Sequence, residues 1–325
     1  MSNRQISLLP LVDALGVTAD RIEALLAPFV TARVACWSRR WQTEVWRRRR
    51  KALRRMWRDL GGHASPRHGR SSAIVQAEYA DVWSRVGFDR YDPHNAPAGS
   101  TPRLWGNQCL LANTVGATRW RQLLLIRAIE KVRPRTVVEI GYGNGINLMM
   151  LACRFPQIAF TGIELTAQGH AAALAFQQAH GELPANLRAF APEPLPDPTG
   201  FRRVTFLHGS ATQLPFDDGA FDLAITVLAL EQMEQIRARA LAEIARVVRS
   251  HTVMIEPFRD VNDGFWQRLN VRQRGYFRGR IAELADFGLQ PLVACADFPQ
   301  KYILRAALVL SARVGHGSGQ GIAVA

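Results

Sequence analysis

The chain has 325 residues, 48% of them hydrophobic, so it can bury one large core plus a smaller unit, and disorder throughout is excluded. Its formal charge of +14 is local: residues 33–70 carry 13 Lys and Arg against Glu44 and Asp59. Cys36, Cys109, Cys153 and Cys295 are scattered without paired spacing, which suggests neither a disulfide framework nor a zinc site and makes a reducing cytoplasm the simplest home.

Residues 1–60 read as mainly helical, with Thr18 and Asp20 opening an apolar-periodic segment that runs to about Val30. Asp13 breaks the apolar stretch of residues 6–17, so no signal peptide is read there, and no uncharged apolar run reaches membrane-spanning length. Val34, Trp37, Trp41 and Val45 recur at helical spacing, and Leu53, Met56 and Leu60 continue the stripe around Arg47–Lys51. Such a basic amphipathic helix has three readings. It lies on an anionic membrane surface through residues 33–60, at the inner face of the membrane; it grips nucleic-acid phosphates; or it packs its tryptophans on the rest of the protein and solvates its arginines. No recognised RNA-binding signature accompanies it, which ranks nucleic acid below the membrane.

Residues 61–106 change character. Gly, Pro, Ser and His cluster at 61–72 and 92–102, which reads as linkers around a short helical lid near 73–86. Residues 119–131 form a helix whose apolar face is Leu123, Leu124, Ile126 and Ile129. Strand and helix then alternate, with strands near 136–141, 159–164, 203–208, 221–226, 252–256, 291–296 and 303–312. That order predicts an α/β fold, a doubly wound, mainly parallel seven-stranded sheet with a helical N-terminal extension. The stretch 184–200, with five prolines, is too long for an ordinary connection and is expected at the substrate mouth. The chain thus divides into a basic extension and linker, 1–106, a catalytic domain, 107–314, and a frayed Gly-rich tail, 315–325.

Thr136-Val-Val-Glu-Ile-Gly-Tyr-Gly-Asn-Gly145 is a buried-strand run that breaks into three glycines at alternating positions. Gly141, Gly143 and Gly145 let the chain turn with positive φ and bring bare backbone N–H groups to a ligand at the start of a helix. Glu164 closes the next strand, 19 residues after Gly145, about where an acid grips a ribose hydroxyl in dinucleotide folds. A dinucleotide fingerprint, however, wants G-x-G-x-x-G, and here the third glycine arrives one residue early.

With Glu139 two residues ahead of Gly141, the pattern resembles the E/D-x-G-x-G-x-G of the class I S-adenosylmethionine-dependent methyltransferases. The stretches Gly209-Ser-Ala-Thr-Gln-Leu-Pro-Phe216 and Phe221-Asp-Leu223, then Leu230-Glu-Gln-Met233 and Arg239 to Arg249, resemble further motifs of the type 11 small-molecule branch, in order, over residues 120 to about 312. The resemblance implies S-adenosylmethionine as cofactor, held by Glu139, Gly141, Tyr142, Gly143, Gly145, Glu164, Leu165, Ser210, Ala211 and Thr226. Two positions depart from it. Ser210 stands where an aspartate accepts from the adenine amino group, and Gln232 stands where histidine is common.

The expected chemistry is methyl transfer to oxygen, nitrogen or carbon, for which alignment supplies much of the rate. Glu231, Glu234 and Glu256 are the candidate bases, with Glu231 the catalytic choice. No metal is expected. An Asn/Asp-Pro-Pro-Tyr/Phe run after the fourth strand and a Pro-Cys pair are both missing, which argues against the nucleobase-methylating classes. The acceptor expected is a small molecule, a glycan or a lipid-linked compound. The alternatives are an RNA- or protein-directed enzyme docking through its Arg-rich helix, a cofactor-binding module without turnover and, most remotely, an aminopropyl transferase.

Overall fold

The computed structural model describes residues 6–60, 72–85, 87–92 and 100–314. The tail 315–325 and most of the two linkers lie outside the described residues. Short helices α1 (Leu11–Leu15) and α2 (Ala19–Leu26) come first, the latter capped by Thr18, whose side chain accepts from Arg21 N at 3.3 Å. They are followed by strand β1 (Val30–Val34) and the long helix α3 (Arg39–Leu60). Residues 1–60 are therefore not all helix: the β-branched Val30, Thr31 and Val34 form an edge strand, and the helical run starts only after Trp37. Helix α4 (Ser72–Arg85) precedes the hairpin β2 (Thr101–Trp105) and β3 (Gln108–Ala112).

Next come α5 (Gly116–Val132), β4 (Thr136–Ile140), α6 (Ile146–Arg154), β5 (Ala159–Glu164), α7 (Ala167–Ala179), α8 (Ala185–Phe190), β6 (Thr205–His208) and β7 (Phe221–Val227). The chain ends with α9 (Arg237–Val247), β8 (Val248–Glu256), α10 (Phe265–Arg274), β9 (Leu289–Cys295), β10 (Gln300–Lys301) and β11 (Ala307–Arg313). Seven strands make one sheet in the order β6-β5-β4-β7-β8-β11-β9, parallel from β6 to β8, with β11 antiparallel to both its neighbours. The strand order reverses at β4, so the carboxyl ends of β4, β5 and β7 border the crevice where α/β sheets bind ligands.

A second, four-stranded sheet, β1-β3-β2-β10, is antiparallel. It joins the N-terminal segment to the C-terminal one through Gln300↔Leu104 and Lys301↔Arg103. A division at residue 106 therefore cuts the β2–β3 hairpin. Ile22, Leu25, Leu26 and Phe29 are buried in the same core as Leu123, Leu124 and Val137, each apolar side chain contributing about 1.5–3 kcal/mol. The first 30 residues thus belong to the main core.

Three further expectations need correction. Cys36 and Cys109 form a disulfide across 73 residues, with Cα atoms 5.4 Å apart, tying the loop before α3 to β3. Their sequence spacing could not reveal it, because the β1–β3 pairing makes the juxtaposition. The argument for a reducing compartment falls with it. Residues 184–200 do not border the main cavity: Phe190 packs against Phe29 and Tyr91, and Glu193 pairs with Arg21 and Arg127. On α3, Trp41 and Val45 pack on Cys109 and Leu111, whereas Trp46 and Trp57, and Trp37 in the turn before the helix, are 56%, 69% and 85% exposed. The tryptophans therefore divide between core and solvent. Among the described residues no helix is long and apolar enough to cross a membrane.

Candidate active site

A cavity of about 460 Å³ opens at the carboxyl ends of β4, β5 and β7. Its floor is the loop after β4. Gly141 and Gly143 have φ of 76° and 62°, and a Cβ on Gly141 would lie 2.7 Å from that of Ala229. A Cβ on Gly143 would strike the Trp83 indole, which α4 lays over the loop. Gly143 N donates to Glu164 Oε2 at 2.9 Å, while Oε1 accepts from Thr166 N at 2.9 Å and Thr166 Oγ1 at 2.7 Å. Glu164 is thus fixed in the wall; Thr166 fills Oε1, while Oε2, with one donor, keeps capacity for another.

Glu139 is 1% exposed. Its Oε1 accepts from Asn147 Nδ2 at 2.9 Å and its Oε2 has no partner. Burial pushes its pKa up to about 7; the Asn147 bond opposes the shift and Glu164 adds to it. A buried carboxylate with an idle oxygen and a second acid near it suit a ligand with a positive centre and free hydroxyls.

Ser210 and Ala211 border the cavity, and Ser210 Oγ bonds Thr212 Oγ1 at 2.9 Å. Leu165 and Tyr142 border it too, the Tyr142 hydroxyl pointing away to His170 Nδ1 at 2.8 Å. Two expected ligand contacts lie outside the wall. Gly145 caps α6, where a Cβ would meet the Phe206 ring at 2.8 Å, so it serves packing. Thr226 is fully buried within β7, and its successors Val227, Leu228 and Ala229 reach the cavity instead.

The three candidate bases separate. Glu256 accepts from Ala229 N at 2.9 Å, Leu230 N at 3.1 Å and Glu231 N at 3.2 Å, so it holds the turn after β7. That turn includes Leu228, a non-glycine residue at φ 55°, a conformation costing about 1 kcal/mol. Glu234 pairs with Arg237 at 3.2 Å and accepts from Arg278 N, away from the cavity. Glu231 alone of the three borders it. Its Oε1 accepts from Gln232 Nε2 at 2.8 Å and its Oε2 has no partner. Burial raises its pKa, against the pull of Lys301, Gln232 and Arg121.

Arg90, Thr118, Arg121, Asn144, Asn147 and Lys301 also border the cavity, and none was singled out by the sequence. Burial first, and Arg121 second, pull Lys301 down to about 8. The lid reading of α4 meets a helix packed on α7, with Gln76 Nε2 donating to Leu165 O at 3.3 Å and Tyr79 against Trp83.

Residues 138–255 match the family described as methyltransferase domain. No curated protein sequence is significantly similar to the chain. Among solved structures, the [4+2]-cyclase SpnF is 16% identical, covering 76% of this chain and 98% of its own, with a TM-score of 0.51. Magnesium protoporphyrin IX methyltransferase (ChlM) from Synechocystis PCC 6803 with bound SAH is 12% identical over 75% of this chain and 100% of its own, at 0.49. The YcgJ protein of Bacillus subtilis is 16% identical over 60% and 99%, at 0.44. At such identities the likeness is one of fold.

Proposed function

We propose that residues 138–255, which match a methyltransferase domain family, act as a class I S-adenosylmethionine-dependent methyltransferase, and that this chain methylates a small molecule drawn into the cavity between the glycine loop and Lys301. The observation that carries this reading is the floor, where Glu139 keeps a buried, unpartnered oxygen next to Glu164. Glu164 would hold the ribose hydroxyls, Glu139 would face the cationic part, and Ser210 would accept from the adenine amino group. When bound, S-adenosylmethionine supplies an electrophilic methyl group, so alignment of the acceptor is the chief demand on the protein. Trp83, laid over Gly143, keeps water from that end. Glu231, with an idle oxygen and a raised pKa, is the group to take the proton that an acceptor hydroxyl or amine loses on methylation.

The test is mass spectrometry of the purified chain incubated with S-adenosylmethionine and a host metabolite extract. A compound heavier by one methylene, formed together with S-adenosylhomocysteine, is expected. Failure to bind the cofactor by calorimetry would refute the reading, and tight binding without any methylated product would make the chain a binding module.

A second reading concerns where the enzyme works. Trp46 and Trp57, three turns apart on α3, share its solvent face with Arg39, Arg50, Arg54 and Arg47. We propose that this face rests on an anionic membrane surface, where amphipathic rings and arginines both find partners. A lipid-linked acceptor would suit that location.

A further inference from the structure

Cations that no ion pair neutralises among the described residues gather beside Glu231. Lys301 comes from β10, Arg121 from α5 and Arg103 from β2. Lys301 and Arg121, with Leu228, line both the main cavity and a small recess of about 10 Å³ that Arg103 also borders. Arg103 is 1% exposed, donates from Nη1 to Pro299 O at 3.3 Å, and leaves Nε and Nη2 without partners. Arg121 lies over the Trp120 ring at 5.2 Å with Nε unpartnered. Lys301 Nζ has no hydrogen bond or ion pair among the described residues. Arg274, which also acts on Glu231 and Lys301, bonds the Tyr276 hydroxyl.

The opposing acids are Glu231 and Glu256, and the Glu256 oxygens already take three backbone N–H groups. Four cations thus stand against two carboxyls, both of which burial pushes toward the neutral form. Cations drawn out of water without a counter-charge are costly, and the cost is recovered when an anion docks. The planar Arg121 fork suits two oxygens of one anion, and Lys301 adds a point charge.

Resting on the reading of this cavity as a methyl-transfer site, we propose that its cationic wall is an anion subsite for the acceptor: Lys301 and Arg121 bind a carboxylate or phosphate of the molecule to be methylated, and Arg103 behind them keeps the potential positive. The anion so held places the rest of the acceptor beside Glu231. The subsite exists because β10 pairs with β2, setting Lys301 opposite Arg103.

The competing ligand is the carboxylate of the cofactor itself, and calorimetry on the full chain separates the two. S-adenosylhomocysteine and 5′-methylthioadenosine, which lacks the amino-acid portion, are titrated first. The S-adenosylhomocysteine complex is then titrated with benzoate, phenyl phosphate and, as neutral control, benzyl alcohol. At least one anion should bind while benzyl alcohol does not, and the preferred anion names the source. Lys301→Met and Arg121→Met should each weaken that anion about 10- to 100-fold and leave both nucleosides unchanged, whereas Arg121→Lys should retain part of the affinity. The proposal is overturned if the variants weaken S-adenosylhomocysteine but not methylthioadenosine, if benzyl alcohol binds as well as the anions, or if no anion binds at millimolar concentration. Absence of S-adenosylhomocysteine binding by the unmodified chain would instead sink the underlying methyl-transfer reading.

Discussion

Replacing Glu139 by Gln should stabilise the cofactor-free protein at alkaline pH while weakening its grip on S-adenosylmethionine. Glu139 is almost wholly buried with one bonded oxygen, and it titrates near 7 in place of its ordinary 4.5. Because the folded value lies above the unfolded one, its contribution to stability is full below about pH 4.5 and is lost as the pH rises through 7. At about 1.4 kcal/mol per decade the loss approaches about 3 kcal/mol above pH 8. Glutamine does not titrate. The stability difference between the two proteins should therefore change by that amount between about pH 4 and about pH 9, whatever constant offset the amide brings. Urea denaturation followed by tryptophan fluorescence at the two pH values reads it. With cofactor the order inverts, because a cationic ligand needs the ionised carboxyl. Wild-type affinity should rise from about pH 6 to about pH 8, and the variant should stay flat and about 10-fold weaker or more at the upper value. A stability difference independent of pH, or equal affinities near pH 8, would refute the assignment of Glu139.

Glu164→Ala should cost about 10- to 100-fold in cofactor affinity by calorimetry, since it removes a charged acceptor and frees Gly143 N and Thr166; unchanged binding would remove Glu164 from the site. Reducing the Cys36–Cys109 bond, or changing Cys36→Ser, should lower the urea midpoint by the equivalent of up to about 4 kcal/mol, the chain-entropy value for a loop of this length. An unshifted midpoint would mean that β1–β3 pairing holds this region without the bond. The full chain should sediment with phosphatidylglycerol vesicles at low salt, be released by added salt, and lose most of that binding in Trp46→Ser/Trp57→Ser. A salt-dependent shift of RNA without vesicle binding would overturn the membrane reading of α3 and favour a nucleic-acid acceptor.

The parts of the fold that were legible are those whose residues solve a local problem. The Leu214-Pro215-Phe216 turn and the Arg246 segment read as separate motifs, yet they are one device: Arg246 donates to Leu214 O at 3.0 Å and Phe216 O at 2.7 Å, while Glu243 accepts from Leu214 N. Asp222 likewise accepts from Arg135 N and Thr136 N and pairs with Arg249, pinning the start of β4 to β7. Much of the motif pattern is therefore structural, and it predicts the sheet because it builds the sheet. The disulfide, by contrast, depends on a register between strands some 80 residues apart, and neither strand announces its partner.

The same distinction explains why the sequence points to a cofactor and is silent on the acceptor. Glu139, Gly143, Glu164 and Ser210 all lie within residues 138–255, at the carboxyl ends of consecutive parallel strands or on the loops that follow them, so their spacing survives as a motif. Arg103, Arg121, Arg274 and Lys301 all lie outside that span. They meet because an N-terminal hairpin takes up a two-residue strand from beyond residue 299, a pairing across nearly 200 positions that leaves no periodic trace. Arg121 sits on a helix that also carries Arg119, Arg127, Glu130 and Lys131, so in the sequence it reads as one more residue of a solvated face. The proposed acceptor subsite is thus assembled from segments on either side of that span. Substitutions there that spare the core should alter which acceptor is taken, and substitutions in the glycine loop should alter whether any is.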